Sequence, residues 1–195
     1  KVAHPPVRDF WIKEFKGYSY RYRAEAIAPI QSKIGAFLAD PRLYKILIEP
    51  EHPLSIRSIV DQGKILLVNL SVGRIGTDSA ALLGGLLVTT IGLAGMSRAD
   101  MAPEQRRPHW LYLDEFQSFT TLSITNMLSE LRKFGVGMCM SHQYMNQLDS
   151  DIRHAVLGNA GTLISFRVGA EDAAFLAREF QPIFGATDLI NLPNY

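Results

Sequence analysis

Cysteine is almost absent from the 195-residue chain: Cys139 is its single example, so no internal disulfide can form. This scarcity excludes the class of small secreted domains held together by disulfides, and it fits a reducing compartment. Because Cys139 lies in the apolar stretch GVGMCMS, we expect a buried and chemically inert thiol.

A strong excess of charge of either sign is also missing. The formal net charge is +1, from 20 Lys and Arg against 19 Asp and Glu, which excludes strong global steering toward nucleic acid. Residues 1–50 nevertheless hold nine basic against five acidic side chains, while the remainder holds eleven against fourteen. Any contact with a polyanion is therefore local, and the first 50 residues are its first candidate.

A signal-peptide pattern and an initiator Met are missing at Lys1, so we expect the chain to be a piece of a longer protein. One long hydrophobic run, AALLGGLLVTTIGLAGM at residues 80–96, covers most of the roughly 20 residues that a membrane span needs. Strand-like segments lie on both sides of this run. We therefore predict a core helix within an α/β pattern rather than a span.

Residues 1–62 are predicted to form a mostly helical domain. Asp40 and Pro41 start one helix, and apolar residues recur at helical spacing before it, at Ile27, Ile30, Ile34, Phe37 and Leu38. In GYSYRYR, Tyr18, Tyr20 and Tyr22 alternate with polar residues. Such tyrosines can stack on bases beside phosphate-binding arginines, but an amphipathic strand or a packing surface is the more common cause of the alternation.

Residues 63–195 alternate between strand and helix patterns. Strands are predicted at 64–70, 110–113, 136–141 and 162–168. The intervening helices begin at Thr77 or Asp78, span the stretch 120–134 before Gly135, and lie around 151–157 and 171–180. The clearest helix has an apolar stripe at Ile124, Met127, Leu128 and Leu131. This order predicts an α/β fold with a parallel sheet covered by helices on both faces.

Polar residues follow the predicted strands. Asp114 and Glu115 end the strand WLYL, Gln143 follows the next strand, and Arg167 ends the fourth; Arg153 lies in a helix between them. Because the carboxyl ends of parallel strands lie at one edge, where ligands bind, we expect Asp114, Glu115, Gln143 and Arg167 to converge.

These residue types fit phosphoryl transfer. A carboxylate at a strand end can hold Mg²⁺ through its water shell, and a neighbouring carboxylate can polarise an attacking water. An amide can sense a γ-phosphate, and an arginine can stabilise charge in the transition state. Acyl transfer needs a nucleophile paired with a base, and the adjacent Ser141 and His142 point to opposite faces of a strand.

Four segments, in this order and spacing, resemble a known family: KILLVNLSVGRIG, RRPHWLYLDEFQSFTT, LSELRKFGVGMCMSHQYMNQL and AVLGNAGTLISFRVGAEDA. They are similar to the C-terminal half of the motor domain of FtsK/HerA-like P-loop ATPases, especially the type IV coupling proteins of conjugative DNA transfer. The resemblance covers nearly the whole chain from about Asp9. The resemblance implies a RecA-like P-loop NTPase sheet, a hexameric ring and ATP-driven movement of DNA. It also implies contact with secretion-channel or relaxosome proteins, and a cytoplasmic place at the inner face of the bacterial inner membrane.

The resemblance also implies roles for single residues. Asp114 would be the Walker B residue for Mg²⁺, Glu115 the catalytic glutamate, and Gln143 the polar sensor that contacts ATP. Arg153 and Arg167 would be candidates for the arginine that acts on a neighbouring subunit's nucleotide, and the sequence does not choose between them.

One element of the family is missing. The phosphate-loop pattern G-x-x-x-x-G-K-[ST] does not occur, and the nearest glycine-rich segment, SVGRIGT at 71–77, has no lysine. We interpret SVGRIGT as a strand-to-helix turn. We therefore expect the phosphate-loop strand to lie upstream of Lys1, and we expect this piece alone to hydrolyse little or no ATP.

Three alternatives stay open. In the first, the chain is a nonhydrolysing protein- or DNA-interaction module on a degenerate P-loop fold. In the second, it is a metal-dependent nuclease that uses Asp114 and Glu115. The nuclease lacks the further dispersed carboxylates of two-metal sites. Finally, the acid pair is a solvated turn in which Glu115 caps the next helix.

Overall fold

A computed structural model describes residues 4–119 and 123–193. It consists of two compact units, Lys1–Leu54 and Ser55–Tyr195. The sequence places the division at residue 62 instead. The helix Ile56–Gln62 belongs with the second unit because its buried Ile56 and Val60 join that unit's core.

The first unit is helical, as the sequence predicts. It comprises α1 (Pro5–Asp9), a π-helical turn (Phe10–Glu14), α2 (Phe15–Gly17), α3 (Tyr20–Leu38) and α4 (Pro41–Leu47). Ser19 caps α3 by accepting from the Tyr22 amide at 3.2 Å. The strand interpretation of GYSYRYR is therefore wrong, because a helix begins within it. Asp40 caps α4 by accepting from the Arg42 amide at 2.8 Å, and hydrogen bonds from Arg42 lower the pKa of Asp40 to about 2.

The second unit holds two strands and seven helices among its described residues. The strands are β1 (His109–Leu113) and β2 (Val136–Met140), and the helices are α5 (Ile56–Gln62), α6 (Val72–Ile75), α7 (Thr77–Met96), α8 (Ser123–Glu130), α9 (Ser150–Asn159), α10 (Ala170–Phe180) and α11 (Ala186–Ile190). Short 3-10 turns lie at Ser97–Asp100, Pro103–Gln105, Phe116–Phe119, Leu131–Phe134 and Met145–Gln147.

The sheet is parallel, with Leu111 opposite Met138. Two of the four predicted strands form it, at 109–113 and 136–140. The other two predictions differ from the structure: within the described residues, 64–70 and 162–168 have no regular secondary structure. A strand needs a neighbour for its backbone hydrogen bonds, which a local apolar pattern does not provide. Apolar side chains such as Ile65, Leu67, Ile164 and Phe166 are exposed there.

One face of this sheet is covered. Leu111 and Leu113 of β1, with Met138 of β2, pack on the main core, whereas Trp110 and Tyr112 are exposed. Cys139 lies opposite Tyr112 and is exposed as well. The prediction of a buried thiol is therefore wrong. Among the described residues, helices cover one face of the two strands, and the prediction of a larger sheet covered on both faces stays a prediction.

Helix α7 packs through small residues, as the prediction of a core helix requires. A Cβ atom at Gly84 would lie 2.1 Å from the Phe119 ring, and one at Gly92 would lie 2.7 Å from Met127. By length and composition alone, the helical stretch Thr77–Asp100 is apolar enough to cross a membrane. Its glycine-bearing face is covered by α8 and by the turn at Phe116–Phe119 instead. The SVGRIGT segment forms α6 and then turns into α7 at Gly76, whose φ of +82° suits glycine.

Helix α8 supports the predicted stripe. Ile124, Met127 and Leu131 are buried in the main core, and Gly135 ends the segment with a φ of +73°. The beginning of the predicted helix, residues 120–122, lies outside the described residues.

A fully buried arginine fixes the end of the sheet where both strands begin. Arg98 donates to the carbonyls of Phe134 and Arg107 at 2.8 Å each, which precede β2 and β1. Its Nε lies 3.0 Å from Asp61 Oδ1, an ion pair without hydrogen-bond geometry. This network leaves the carboxyl ends of the strands as the accessible edge.

Candidate functional site

The acid pair directly follows β1. Two backbone hydrogen bonds join this point to the end of β2: the Ser141 amide donates to the Leu113 carbonyl at 2.9 Å, and the Phe116 amide donates to the Ser141 carbonyl at 3.1 Å. These bonds extend the parallel pairing beyond both strands. They hold Asp114 and Glu115 beside the segment Ser141–Gln143.

Asp114 is exposed and is oriented by the neighbouring strand. Its Oδ1 accepts a hydrogen bond from the Ser141 hydroxyl at 2.6 Å. A hydroxyl that holds one carboxylate oxygen limits the rotation of the side chain. The carboxylate is therefore fixed at the open edge of the sheet, where a hydrated cation has access.

Glu115 is half-buried, and amide groups contact both of its carboxylate oxygens. Gln143 Nε2 donates to Oε1 at 2.7 Å, and Gln117 Nε2 donates to Oε2 at 2.6 Å. Both distances are short for N–H···O hydrogen bonds. The two glutamines therefore set the orientation of the Glu115 carboxylate from opposite sides.

The backbone at Glu115 is in the left-handed region, with a φ of +51°. A residue other than glycine in this region costs of order 1–3 kcal/mol and persists where the surroundings impose it. Here the fully buried Phe116 anchors the turn, so packing imposes the conformation that directs Glu115 toward Gln143.

A buried layer supports the site from below. The His142 ring meets the Phe116 ring edge-on, at 5.3 Å between centroids. Burial lowers the pKa of His142, with Asp172 the largest opposing influence, so the imidazole is neutral near pH 7. Asp172 is itself buried and accepts from the Met145 amide at 3.3 Å. Ser141 thus contacts Asp114, whereas His142 packs on Phe116, which agrees with the prediction that these adjacent side chains point to opposite faces.

The two arginines differ in their surroundings. Arg153 on α9 lies with its guanidinium 4.7 Å from the centre of the Phe175 ring. Its Nε is buried and has no hydrogen-bond partner among the described residues. Arg167 is exposed, in the segment between α9 and α10. The structure thus joins Asp114, Glu115 and Gln143 directly and gives Arg153 a contact within its own unit.

Two residues of the site were missed by sequence reasoning. Gln117 stands two positions after Glu115 and contacts it across a tight turn, a geometry that the letters LDEFQ do not reveal. Ser141 was considered only as a nucleophile, although its hydroxyl orients Asp114. Its place at the end of β2, directly beside the end of β1, was the available signal.

The site has the oxygen donors that Mg²⁺ prefers and an oriented acid for a water molecule. Asp114 is accessible and fixed, which fits a cation held through water. The chain has no phosphate-loop sequence, so the donor set for the phosphates is incomplete within these 195 residues.

A comparison with protein families decides the identity. The profile of the type IV secretion-system coupling protein DNA-binding domain matches residues 21–192. The chain belongs to this family. No curated protein and no solved structure matches the chain. The match confirms the expected similarity to type IV coupling proteins. The chain is therefore a DNA-binding domain of a type IV secretion-system coupling protein.

Proposed function

We propose that this coupling-protein domain contributes the hydrolytic acid pair to an ATP-driven motor that moves DNA in conjugative transfer or type IV secretion. The observation that supports it best is the arrangement of Asp114, Glu115 and Gln143 at the ends of two parallel strands, with Glu115 and Gln143 in contact at 2.7 Å. Ligands bind at this edge of an open α/β sheet.

Each residue has a distinct role in this proposal. Asp114 would hold Mg²⁺, which would supply positive charge to offset that of the phosphates. Glu115 orients a water molecule for attack on the γ-phosphorus and accepts a proton from it. Gln143 contacts the γ-phosphate, which competes for the amide group that otherwise holds Glu115. Nucleotide binding would thereby free one oxygen of Glu115.

The proposal includes a RecA-like sheet that is larger than the two strands β1 and β2. The exposed apolar side chains of segments 64–70 and 162–168 support it, because they lack neighbours that further strands would supply. One of the further strands would precede the phosphate loop, and both would lie in a part of the full-length protein outside the 195 residues. These residues alone would then hydrolyse little or no ATP.

Assembly and location follow from the same proposal. Such motors act as rings, so we propose a hexamer in which Arg153 or Arg167 reaches the nucleotide of a neighbouring subunit. The ring would lie in the cytoplasm at the inner face of the bacterial inner membrane, with secretion-channel or relaxosome proteins as its partners.

The test is ATP hydrolysis by the full-length protein with and without DNA, in parallel with Glu115→Gln. We expect DNA-stimulated turnover that the substitution lowers by at least 100-fold, while ATP binding is retained. Equal turnover in both proteins would remove Glu115 from the chemistry. A correctly folded full-length protein that hydrolyses no ATP would favour the nonhydrolysing interaction module.

A further inference from the structure

Five aromatic rings form a continuous row in the first unit. We call this row the aromatic ladder: Phe10, Trp11, Phe15, Tyr18 and Tyr22. Ring centroids lie 4.8 Å apart between Trp11 and Phe15, 6.2 Å between Phe15 and Tyr18, and 5.0 Å between Tyr18 and Tyr22. The contacts are mostly edge-to-face, a favourable arrangement for aromatic pairs. The rings therefore hold one another in position.

The ladder joins rings from three consecutive short elements. Phe10 and Trp11 lie in the π-helical turn, Phe15 begins α2, Tyr18 is an extended residue between α2 and α3, and Tyr22 lies in the first turn of α3. The neighbouring rings remain accessible: 46% of Trp11, 37% of Tyr18 and 56% of Tyr22 are exposed. A contiguous exposed aromatic surface of this kind marks an interaction site.

Positive charge accompanies the ladder. Residues 4–25 contain five basic side chains, Arg8, Lys13, Lys16, Arg21 and Arg23, against three acidic ones, Asp9, Glu14 and Glu25. The guanidinium of Arg23 lies 5.9 Å from the centre of the Phe15 ring. Lys13 and Arg21 each form an exposed ion pair at 2.9 Å, with Asp9 and Glu25, and exposed pairs of this kind are weak. Aromatic rings and cations thus share one short stretch of chain.

We propose that the aromatic ladder is a binding surface for single-stranded DNA. Unpaired bases would stack on the exposed rings of Trp11, Tyr18 and Tyr22, and the nearby cations would contact the phosphates. The proposal rests on the proposed function and on the DNA-binding role of the family, whose match begins at residue 21. It extends the DNA-binding surface to the ladder, most of which lies directly before the matched residues. Single-stranded DNA is the fitting ligand because the bases of a duplex already stack on one another and do not present their faces.

The first experiment locates the contact directly. The full-length protein is mixed with a single-stranded oligonucleotide that contains 5-iodouracil, irradiated, digested and analysed by mass spectrometry. We expect adducts on Trp11, Tyr18 or Tyr22, since this chemistry joins the base to a ring stacked on it. Adducts confined to other parts of the protein would overturn the proposal.

The second experiment measures affinity by fluorescence anisotropy of a labelled single strand at fixed salt. Base stacking on an aromatic ring contributes about 1–3 kcal/mol by alanine substitution, so Trp11→Ala and Tyr22→Ala should each weaken binding by about five- to 100-fold. Trp11→Phe and Tyr22→Phe retain a ring and should bind within a fewfold of the original protein.

A matched control separates stacking from loss of structure. Tyr44→Ala removes another exposed aromatic side chain of the same unit, on α4 and outside the ladder, and should leave the affinity for single strands unchanged. If the alanine variants of the ladder lower only stability or subunit association and retain single-strand affinity, the ladder is a packing surface and the proposal is wrong.

The two proposals fail separately. Loss of ATP hydrolysis in Glu115→Gln with normal strand binding tests the acid pair alone. Weaker binding of Trp11→Ala to single strands, with less stimulation of ATP hydrolysis by them, tests the ladder alone.

Discussion

Gln143 Nε2 donates to Glu115 Oε1 at 2.7 Å, which joins the residues that follow β2 to the acid that follows β1. The two residues are 28 positions apart in the sequence. The parallel pairing of Leu113 with Met140 brings them together. The contact links a group suited to sensing phosphate with a group suited to accepting a proton. Under the proposed function, this contact would connect nucleotide binding at Gln143 with the orientation of Glu115.

Gln117 is expected to act as a positioning residue. Gln117→Met retains the side-chain length but removes the amide donor to Glu115 Oε2. A hydrogen bond to a charged group contributes about 1.5–3 kcal/mol, so kcat for ATP hydrolysis by the full-length protein should fall by about 10- to 100-fold. KM for ATP should change little, because Gln117 contacts the base and not the nucleotide.

The matched control for this prediction is Gln147→Met at an exposed position of the turn Met145–Gln147. It should retain the original kcat. Equal values of kcat in Gln117→Met and Gln147→Met would show that the Gln117 contact has no part in hydrolysis.

The arginine that acts between subunits is expected to be Arg167. It is exposed, as contact with another subunit requires, whereas Nε of Arg153 is buried. Arg167→Ala should lower kcat by about 10³-fold or more, which is typical of an arginine that stabilises the transferred phosphate. Arg153→Ala should chiefly lower stability.

Rings that contain two different variants test the same prediction, although every subunit in them carries a substitution. Rings assembled from Arg167→Ala and Glu115→Gln subunits contain interfaces with one intact Glu115 and one intact Arg167. Recovery of hydrolysis on mixing is the expected result. Mixtures as inactive as either variant alone would indicate that both residues serve the same subunit's nucleotide.

The sequence specifies much of this site through local patterns. The run WLYL ended by two acids predicts the end of β1, and the stripe Ile124, Met127 and Leu131 predicts α8. Both predictions follow from the spacing of apolar residues and from the polar residues or glycines that end an element, which are properties of neighbouring residues. The joint position of Asp114, Glu115 and Gln143 then follows from the geometry of a parallel sheet.

The features that the sequence did not predict depend on partners distant in the chain. Segments 64–70 and 162–168 have strand-like composition, but pairing requires a neighbour that composition does not identify. Cys139 has an apolar context and is exposed because no described helix covers that face of the sheet. The aromatic ladder was not predicted because it joins rings from three short elements, the π-helical turn, α2 and α3, and the alternation of Tyr18, Tyr20 and Tyr22 does not reveal their packing.

The packing of α7 on the turn after the acid pair should be sensitive to one methyl group. Gly84→Ala would place Cβ 2.1 Å from the Phe119 ring, so we expect a loss of about 1–3 kcal/mol in the free energy of unfolding. Gly158→Ala, in α9, meets nothing within 4 Å and should increase stability by up to about 1 kcal/mol.

Urea denaturation of both variants measures whether their free energies of unfolding change in opposite directions. A loss of stability in both would point to a shared effect of alanine on these helices. A gain in both would show that Phe119 yields without cost, and the close approach of α7 to the turn would then have no energetic importance.

Acid pH should destabilise the fold through His142. Burial lowers its pKa below the usual 6.5, so the unfolded chain binds the proton first, and stability falls as pH decreases below 6.5 until it passes the folded pKa. In His142→Gln the free energy of unfolding should fall less steeply as pH decreases below about 6.5. Chemical denaturation over a series of pH values measures the slope, and identical slopes would contradict a neutral, half-buried imidazole.

The most direct test of the central claim is a structure of the full-length Glu115→Gln protein with Mg²⁺ and ATP. The proposed function expects the ion beside Asp114, joined to it through water, and the γ-phosphate within hydrogen-bond distance of Gln143. ATP bound with its phosphates remote from both residues would contradict the assignment of this strand-end cluster as the site of hydrolysis.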